Sequence, residues 1–520
     1  MLLETLDISI VAAYAIFIIV IAQYVSREKP GHAKNTRDYF MASKSLPWWA
    51  IGASLIAANI SAEQIIGMSG SGYVMGLAIA SYEWMAAITL LIVGRYFLPI
   101  FLHNQIYSMP QFLEKRYDGR VRFVMAVFWL SLYVFVNLTS ILWLGALAVN
   151  SVTGIELTYA LVLLGGGAVA YSLYGGLKAV ALTDIIQVVL LVFGGLMVSS
   201  IALGQIGGEQ GIWGGFNELT RTLPEKFDMI LSPENPYYKD LPGLSVLIGG
   251  MWMMNLSYWG FNQYVIQRAL AAKNIHEARK GIVLAAFLKI LMPIIVVLPG
   301  IAAALLVPNL SAPDQAYPEM MKLLPVGIKG LVFAALIAAI LSSLGSMMNS
   351  ISTIFTMDIY KAMHKEADEN KLVMIGRGAA LTSMVIAILI AKPLLGNFAQ
   401  AFQFIQEFTG FFTPGIVVIF LLGLFWKKAT ANSALVAGIG SFVLSIIMRQ
   451  YWPEIPFIDR VGIVFLFCGA LAIVLSYLTS QAHDNNTIVT EKAEYSVDTS
   501  FKIGSTVVIA MIAALYVIWW

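Results

Sequence analysis

Apolar residues in this chain fall in long unbroken runs, not in the alternation of a half-buried strand or the stripe of a surface helix. Runs of roughly 17 residues or more read as membrane spans. They number fourteen, near 9–26, 47–69, 76–102, 122–150, 156–173, 179–204, 243–262, 280–308, 325–357, 375–391, 397–425, 431–449, 459–480 and 502–520. Two runs break their own pattern. AANISAEQIIGMSGSGY, residues 57–73, carries Asn59, Ser61, Glu63 and Gln64 inside an apolar run and then Gly67, Gly70 and Gly72. GGMWMMNLSYWGFNQYVIQR, residues 249–268, starts apolar and gives way to Asn255, Ser257, Tyr258, Trp259, Gly260, Asn262 and Gln263.

Each glycine lowers helix propensity by about 1 kcal/mol relative to Ala, and Asn and Ser offer the backbone competing hydrogen bonds. A helix broken there frees carbonyls for a cation and points half-helix ends at a solute; the alternative is a helix end, with the glycines forming an exit loop. With the first span set aside, the two interrupted stretches open successive five-span units. Corresponding interruptions are the sequence mark of inverted repeats with a site between them.

A third span, 325–357, carries Ala339, Ser342, Ser343, Ser346, Ser350 and Thr353 at spacings of three and four, on one helical face. Such a stripe serves as packing glue between membrane helices or as an ion site. Glu63, Glu83, Asp184, Lys289 and Glu407 also fall in or at the edges of spans. Because a charged group at mid-membrane costs about 2.5–3.5 kcal/mol on insertion scales, five of them point to a polar interior.

Composition agrees. The 520 residues are 59% hydrophobic and 12% charged, with mean hydropathy +0.79, against about 25% charged in a soluble domain. A net charge of +2 argues against a polyanion surface and hence nucleic acid, the single Cys468 allows no internal disulfide, and the five scattered histidines suggest no metal cluster. Acidic Glu4 and Asp7 precede the first span and Arg27 and Lys29 follow it, the wrong polarity for a cleaved signal peptide. Alternate connections hold Lys115, Arg116, Arg120 and Arg122, then Arg268, Lys273, Arg279 and Lys280, then Lys361, Lys365, Lys371 and Arg377. The positive-inside rule makes that set cytoplasmic, so both termini are expected outside the plasma membrane. The polar loops 205–242 and 481–501 are too short to bury cores of their own. No obligate protein partner and no enzymatic constellation is evident.

The strings ANISAEQIIGMSGSGY, ASYEWMAAITL, YGGLKAVALTDIIQ, YWGFNQYVIQRALAA, SSLGSMMNSISTIFTMDIYK, AFQFIQEFTG and FLLGLFWKK, in this order, resemble the solute:sodium symporter family, most of all its bacterial sodium/galactose and sodium/glucose branch. The resemblance runs from about residue 38 to the chain end. It implies an all-α membrane protein with a LeuT-like five-plus-five inverted-repeat core in 14 helices. The extra helix and cytoplasmic loop would occupy 1–46, the first repeat 47–204, an extracellular loop 205–242, the second repeat 243–425 and three further helices 426–520.

Carried over by position, the resemblance implies a sodium site of main-chain carbonyls at Ala57, Ile60 and Ala339 with the hydroxyls of Ser342 and Ser343. It implies a sugar site of Asn59, Gln64, Glu83, Asn255, Lys289 and Gln406; Glu83 and Lys289 could equally be an ion pair joining two helices. Met68, Tyr82 and Phe402 would close the outer side and Tyr258 the inner side, and Asp184 would serve sodium release or a second sodium site. A serine found after Glu83 in relatives is Ala86 here, which bears on the choice of sugar. Where some members place an extra hydroxyl for a second sodium, this chain has Ala339, so one sodium per sugar is expected. The expected function is sodium-coupled import of galactose or glucose. The alternatives are symport of another solute such as inositol or sialic acid, a transport-deficient sensor, or a membrane enzyme.

Overall fold

The computed structural model describes residues 3–26, 46–106, 108–174, 177–396, 400–479 and 495–520, without the side chains of 19, 21–26, 171–184 and 369. The described residues are helical apart from turns and one isolated parallel bridge, Leu46 to Ala272. Nine described helices are long and apolar enough to cross a membrane, ten if the pair Ala401–Gly410 and Thr413–Phe425, bent by 47°, counts as one span. Thr5–Ser26 and Leu157–Tyr174 coincide with two more expected spans.

The stretch Glu63–His103 covers parts of two expected spans. Its 41 helical residues would extend about 60 Å if straight, twice the hydrocarbon thickness. Gly76, at φ +73°, is where the right-handed path is interrupted, a conformation open to glycine at little cost.

Both pattern-breaking stretches are interrupted helices. Trp48–Asn59 stops at Ile60, whose ψ of 87° is not helical, and the helix resumes with the π-turn Glu63–Gly67 and Met68–Met75. The amide that would bond Ala57 O in a continuous helix, Ser61 N–H, bonds Asn59 O at 2.9 Å instead. In the second stretch, Gly250–Leu256 and the π-turn Ser257–Phe261 end at extended Asn262, and Gln263–Leu270 follows.

The glycines after the first break do not form an exit loop. They sit inside helical turns and admit close neighbours: a Cβ on Gly72 would lie 2.8 Å from Val297 O, and one on Gly67 would lie 3.1 Å from Phe402 Cβ. From the facing helix, Gly300 rests on Ser69 O in the same way.

Burial separates core from perimeter. The apolar windows of Gly119–Thr153 and Ile328–Met363 are 78% buried and that of Glu63–His103 72%, against 28% for Asn370–Leu395 and Phe457–Leu478 and 17% for Thr499–Ile518. The last three therefore present apolar side chains outward, as lipid requires. The first helix docks through Asp7, whose carboxylate accepts from the amides of Gly327 (2.7 Å) and Gly330 (2.9 Å) at the start of Ile328–Thr353, where free amides and the helix dipole favour an anion. Segment 205–242 is more structured than a polar linker. It forms the helix Gly211–Thr222 and packs Phe216 and Phe227 on Trp519, borrowing the core it could not build alone.

Candidate functional site

The break at Ile60 places Asn59 and Gln64 on either side of a kink, both buried, facing Glu83 from Ser81–Ile92 and Lys289 from Ile275–Met292. Gln64 Nε2 donates to Glu83 Oε1 (2.9 Å) and to Asn59 Oδ1 (3.2 Å). Lys289 Nζ donates to Glu83 Oε2 (2.6 Å) and to Asn59 Oδ1, and lies 5.0 Å from the centre of the Trp259 ring. Glu83 and Lys289 are each 1% exposed. So deep an ion pair survives only where further hydrogen bonds complete its shell, and here two amides and an indole face do so. Asn59 Nδ2 in turn donates to Tyr258 OH (3.3 Å), which links the two interrupted helices.

Four of the six expected sugar residues thus form one network. Asn255 is buried but donates to Met251 O of its own helix (3.1 Å), and Gln406 is half-buried on Ala401–Gly410 with no hydrogen bond to the network. Among the described residues, Gln64 Oε1 in the network and Tyr82 OH, on the ring that packs against Phe402, are buried without a hydrogen-bond partner. A buried polar atom left unpaired costs about 1–3 kcal/mol, so the free Gln64 Oε1 leaves the network with an unused acceptor.

Met68, Tyr82 and Phe402 are all buried, and the Tyr82 and Phe402 rings pack edge to face at 5.3 Å. Tyr258 is half-buried against Trp259. The expected sodium set divides between the Ala57–Ile60 break and the Ala339–Ser343 turn of Ile328–Thr353, and all five residues are buried. The side chain of Asp184 lies outside the described residues.

Several important groups are invisible to the sequence reading. Arg116, Arg268 and Arg279, read there as loop cations, are buried at helix ends. Arg116 donates to Gly423 O and Trp426 O, Arg279 to Gly94 O and Ser496 O, and Arg268 to Ser54 Oγ (2.9 Å) and Tyr264 O (2.6 Å). Tyr264 OH donates to Ala58 O (3.0 Å), so Arg268 and Tyr264 together clasp Trp48–Asn59. Glu407 pairs with Arg460 (2.8 Å) and Arg449 (3.1 Å). Trp259 under Lys289 had only its place in the second broken stretch to signal it.

Residues 39–440 match the sodium:solute symporter family. The chain is 50% identical to a sodium/glucose cotransporter of Vibrio parahaemolyticus, over 100% of this chain and 99% of that one, and 34% identical to a human sodium/myo-inositol cotransporter, over 86% and 67%. Among solved structures, a substrate-bound, outward-open sodium-coupled sialic acid symporter superposes with a TM-score of 0.78 at 22% identity, covering 92% of this chain and 98% of its own. A nucleobase-cation-symport-1 family transporter in a closed conformation superposes at 0.54 and 14% identity, covering 87% and 99%. These likenesses show a shared fold of LeuT type. The chain is a multi-pass membrane protein and belongs to the sodium:solute symporter family.

Proposed function

We propose that this symporter carries a monosaccharide, glucose or galactose, into the cell with one sodium ion, by alternating access between two inverted five-helix repeats in a 14-helix protein. The observation that carries the reading is the buried Asn59–Gln64–Glu83–Lys289 network, whose Gln64 Oε1 has no partner among the described residues. Sugar hydroxyls both donate and accept, so a carboxylate, an ammonium and two amides can serve a ring from several sides. A substrate lacking one hydroxyl would strand a buried partner, and specificity follows. The 50% identity to a sodium/glucose cotransporter over the whole chain favours a sugar over inositol.

Sodium is cargo here as much as sugar. The carbonyls of Ala57, Ile60 and Ala339 and the hydroxyls of Ser342 and Ser343 would give it five hard oxygens, and only an interrupted helix has carbonyls to spare. Bound outside, sodium ties the break to the serine helix and favours the state in which the sugar network is assembled. Sugar then allows Met68, Tyr82 and Phe402 to close above it and Tyr258 to open below. Each ligand acts only through its different affinity for the two states, and a potential of 100 mV adds about 2.3 kcal/mol per charge moved.

The test is uptake of labelled glucose, galactose and myo-inositol into proteoliposomes, with and without an inward sodium gradient. Sodium-dependent accumulation of a sugar is expected. Equal uptake in sodium and potassium media sinks symport, and sodium-driven uptake of inositol alone sinks the sugar.

A further inference from the structure

Between Leu298–Leu306 and Ile328–Thr353 the chain makes an ordered excursion, with a single helical turn at Pro313–Gln315 and the short helix Ala316–Met321. On the proposed topology it lies outside. Asp314 in that turn is 3% exposed. Its Oδ2 accepts from the amide of Ala401, the first residue of Ala401–Gly410, at 3.0 Å. Its Oδ1 has no hydrogen-bond partner among the described residues and presses on Met68–Met75 at Gly70, where a Cβ would come within 2.5 Å of it.

Asp314 thus touches both helices that carry outer-gate residues, Met68 on one and Phe402 on the other. The starts of the same two helices also meet, Ser71 Oγ donating to Gln400 Oε1 (3.3 Å) just before Ala401 and Gly67 just before Met68 lying against Phe402. We propose that Asp314 is a proton-operated latch: its seating on Gly70 and on the Ala401 amide holds the outer gate shut, and loss of its proton favours opening. This rests on the outer-gate assignment of the proposed function.

A seated carboxylate would have one oxygen paired and one pressed, without a donor, against a helix. A carboxylic acid in the same seat still accepts from Ala401 and no longer buries a charge. Burial accordingly pushes the Asp314 carboxyl up to about 7. Among the described residues, the elements packed around the turn bring no cation to it. Ionisable groups on them are Glu63, Tyr73, Tyr317, Glu319, paired with Lys322, and Glu407, paired with Arg449 and Arg460. In the open state the carboxyl meets water and returns toward its ordinary 3.8. The closed state therefore holds the proton more tightly, so acid outside stabilises closure and rising pH releases it. Between pH 8 and pH 5.5 two such values shift the open-to-closed ratio by about 30-fold.

The experiment needs no sugar. In the full-length protein, buried Cys468 is replaced by Ala, and Gln403→Cys, beside Phe402, reports outer access through its rate of modification by a membrane-impermeant maleimide. The thiol is modified from outside in oriented proteoliposomes, with rates corrected for the reagent's own pH dependence on a free thiol. Labelling should speed up by as much as about 30-fold from pH 5.5 to 8. Asp314→Asn, which keeps the acceptor for Ala401 but cannot ionise, should stay slow at every pH. Gly70→Ala, which blocks the seat, should stay fast at every pH. A parent rate without pH dependence, an unchanged profile in Asp314→Asn, or slow labelling in Gly70→Ala overturns the latch. Failure of the sugar reading would appear instead as absent sodium-driven uptake with the labelling profile intact.

Discussion

Whether Glu83 and Lys289 bind substrate or merely join two helices can be decided by neutralising them together. Lys289→Met alone leaves a carboxylate that is 1% exposed with Gln64 as its remaining partner, and breaking one side of a buried pair costs about 3–5 kcal/mol. Adding Glu83→Gln removes the stranded charge, and replacing both members of such a pair is often neutral or stabilising. Thermal unfolding in detergent should therefore show a large loss for Lys289→Met and recovery in the double variant. Transport should not recover. A sugar that exchanges bonds with both groups loses two charge-assisted hydrogen bonds, each about 1.5–3 kcal/mol. Even 3 kcal/mol in total corresponds to about 150-fold in affinity, so the KM for sodium-driven sugar uptake in the double variant should rise at least about 100-fold. A stable double variant with the parent's KM would refute substrate contact and leave the pair as a helix clamp.

Tyr258→Phe, which loses the Asn59 bond but keeps the ring, should retain much of the uptake, whereas Tyr258→Ala should fail to accumulate sugar against a gradient; accumulation by the alanine variant equal to the parent's would remove the inner-gate role. Ser343→Ala should abolish sodium-driven accumulation, and the reversal potential of sugar-induced current should fit one charge per sugar; two charges, or unchanged sodium dependence in the variant, would overturn the ion-site assignment. Arg268→Ala should lower stability by about 3 kcal/mol, because it removes charge-assisted bonds to Ser54 and Tyr264. Arg268→Lys should recover only part, since an ammonium cannot reproduce the planar fork; unfolding temperatures equal to the parent's would show that the clasp carries no load.

Much of this was legible in the sequence because a membrane penalises exceptions. Asn59, Gln64, Glu83 and Lys289 stand out because the runs that hold them are otherwise mostly apolar, and the structure gathers those four into one network. Composition could not separate Arg268 in a helix clasp from Lys273 in a loop, since both lie just past an apolar run and differ only in which carbonyls come within reach after folding. Asp314 was hidden for the same reason. In a polar connection an aspartate is unremarkable, and its burial depends on a glycine 244 positions away in the chain. Asn255 shows the converse: a polar residue inside a span can be satisfied by its own helix, at Met251 O.

The position of Asn59 bears on how two cargoes can be coupled. Its side chain accepts from Gln64 and Lys289 and donates to Tyr258, while its backbone occupies the interruption between Ala57 and Ile60. On the proposed assignment, an ion held by the carbonyls of Ala57 and Ile60 fixes the two residues that bracket Asn59, and with them the point where the sugar network and the inner gate meet. No distant relay is then required, because one break in one helix supplies carbonyls to the ion on its backbone and an amide to the sugar on its side chain. Coupling between binding sites typically amounts to about 1–3 kcal/mol, and it is reciprocal. If sodium tightens sugar binding through this break by a given factor, sugar must tighten sodium binding by the same factor, and a substitution at Asn59 should weaken both effects together.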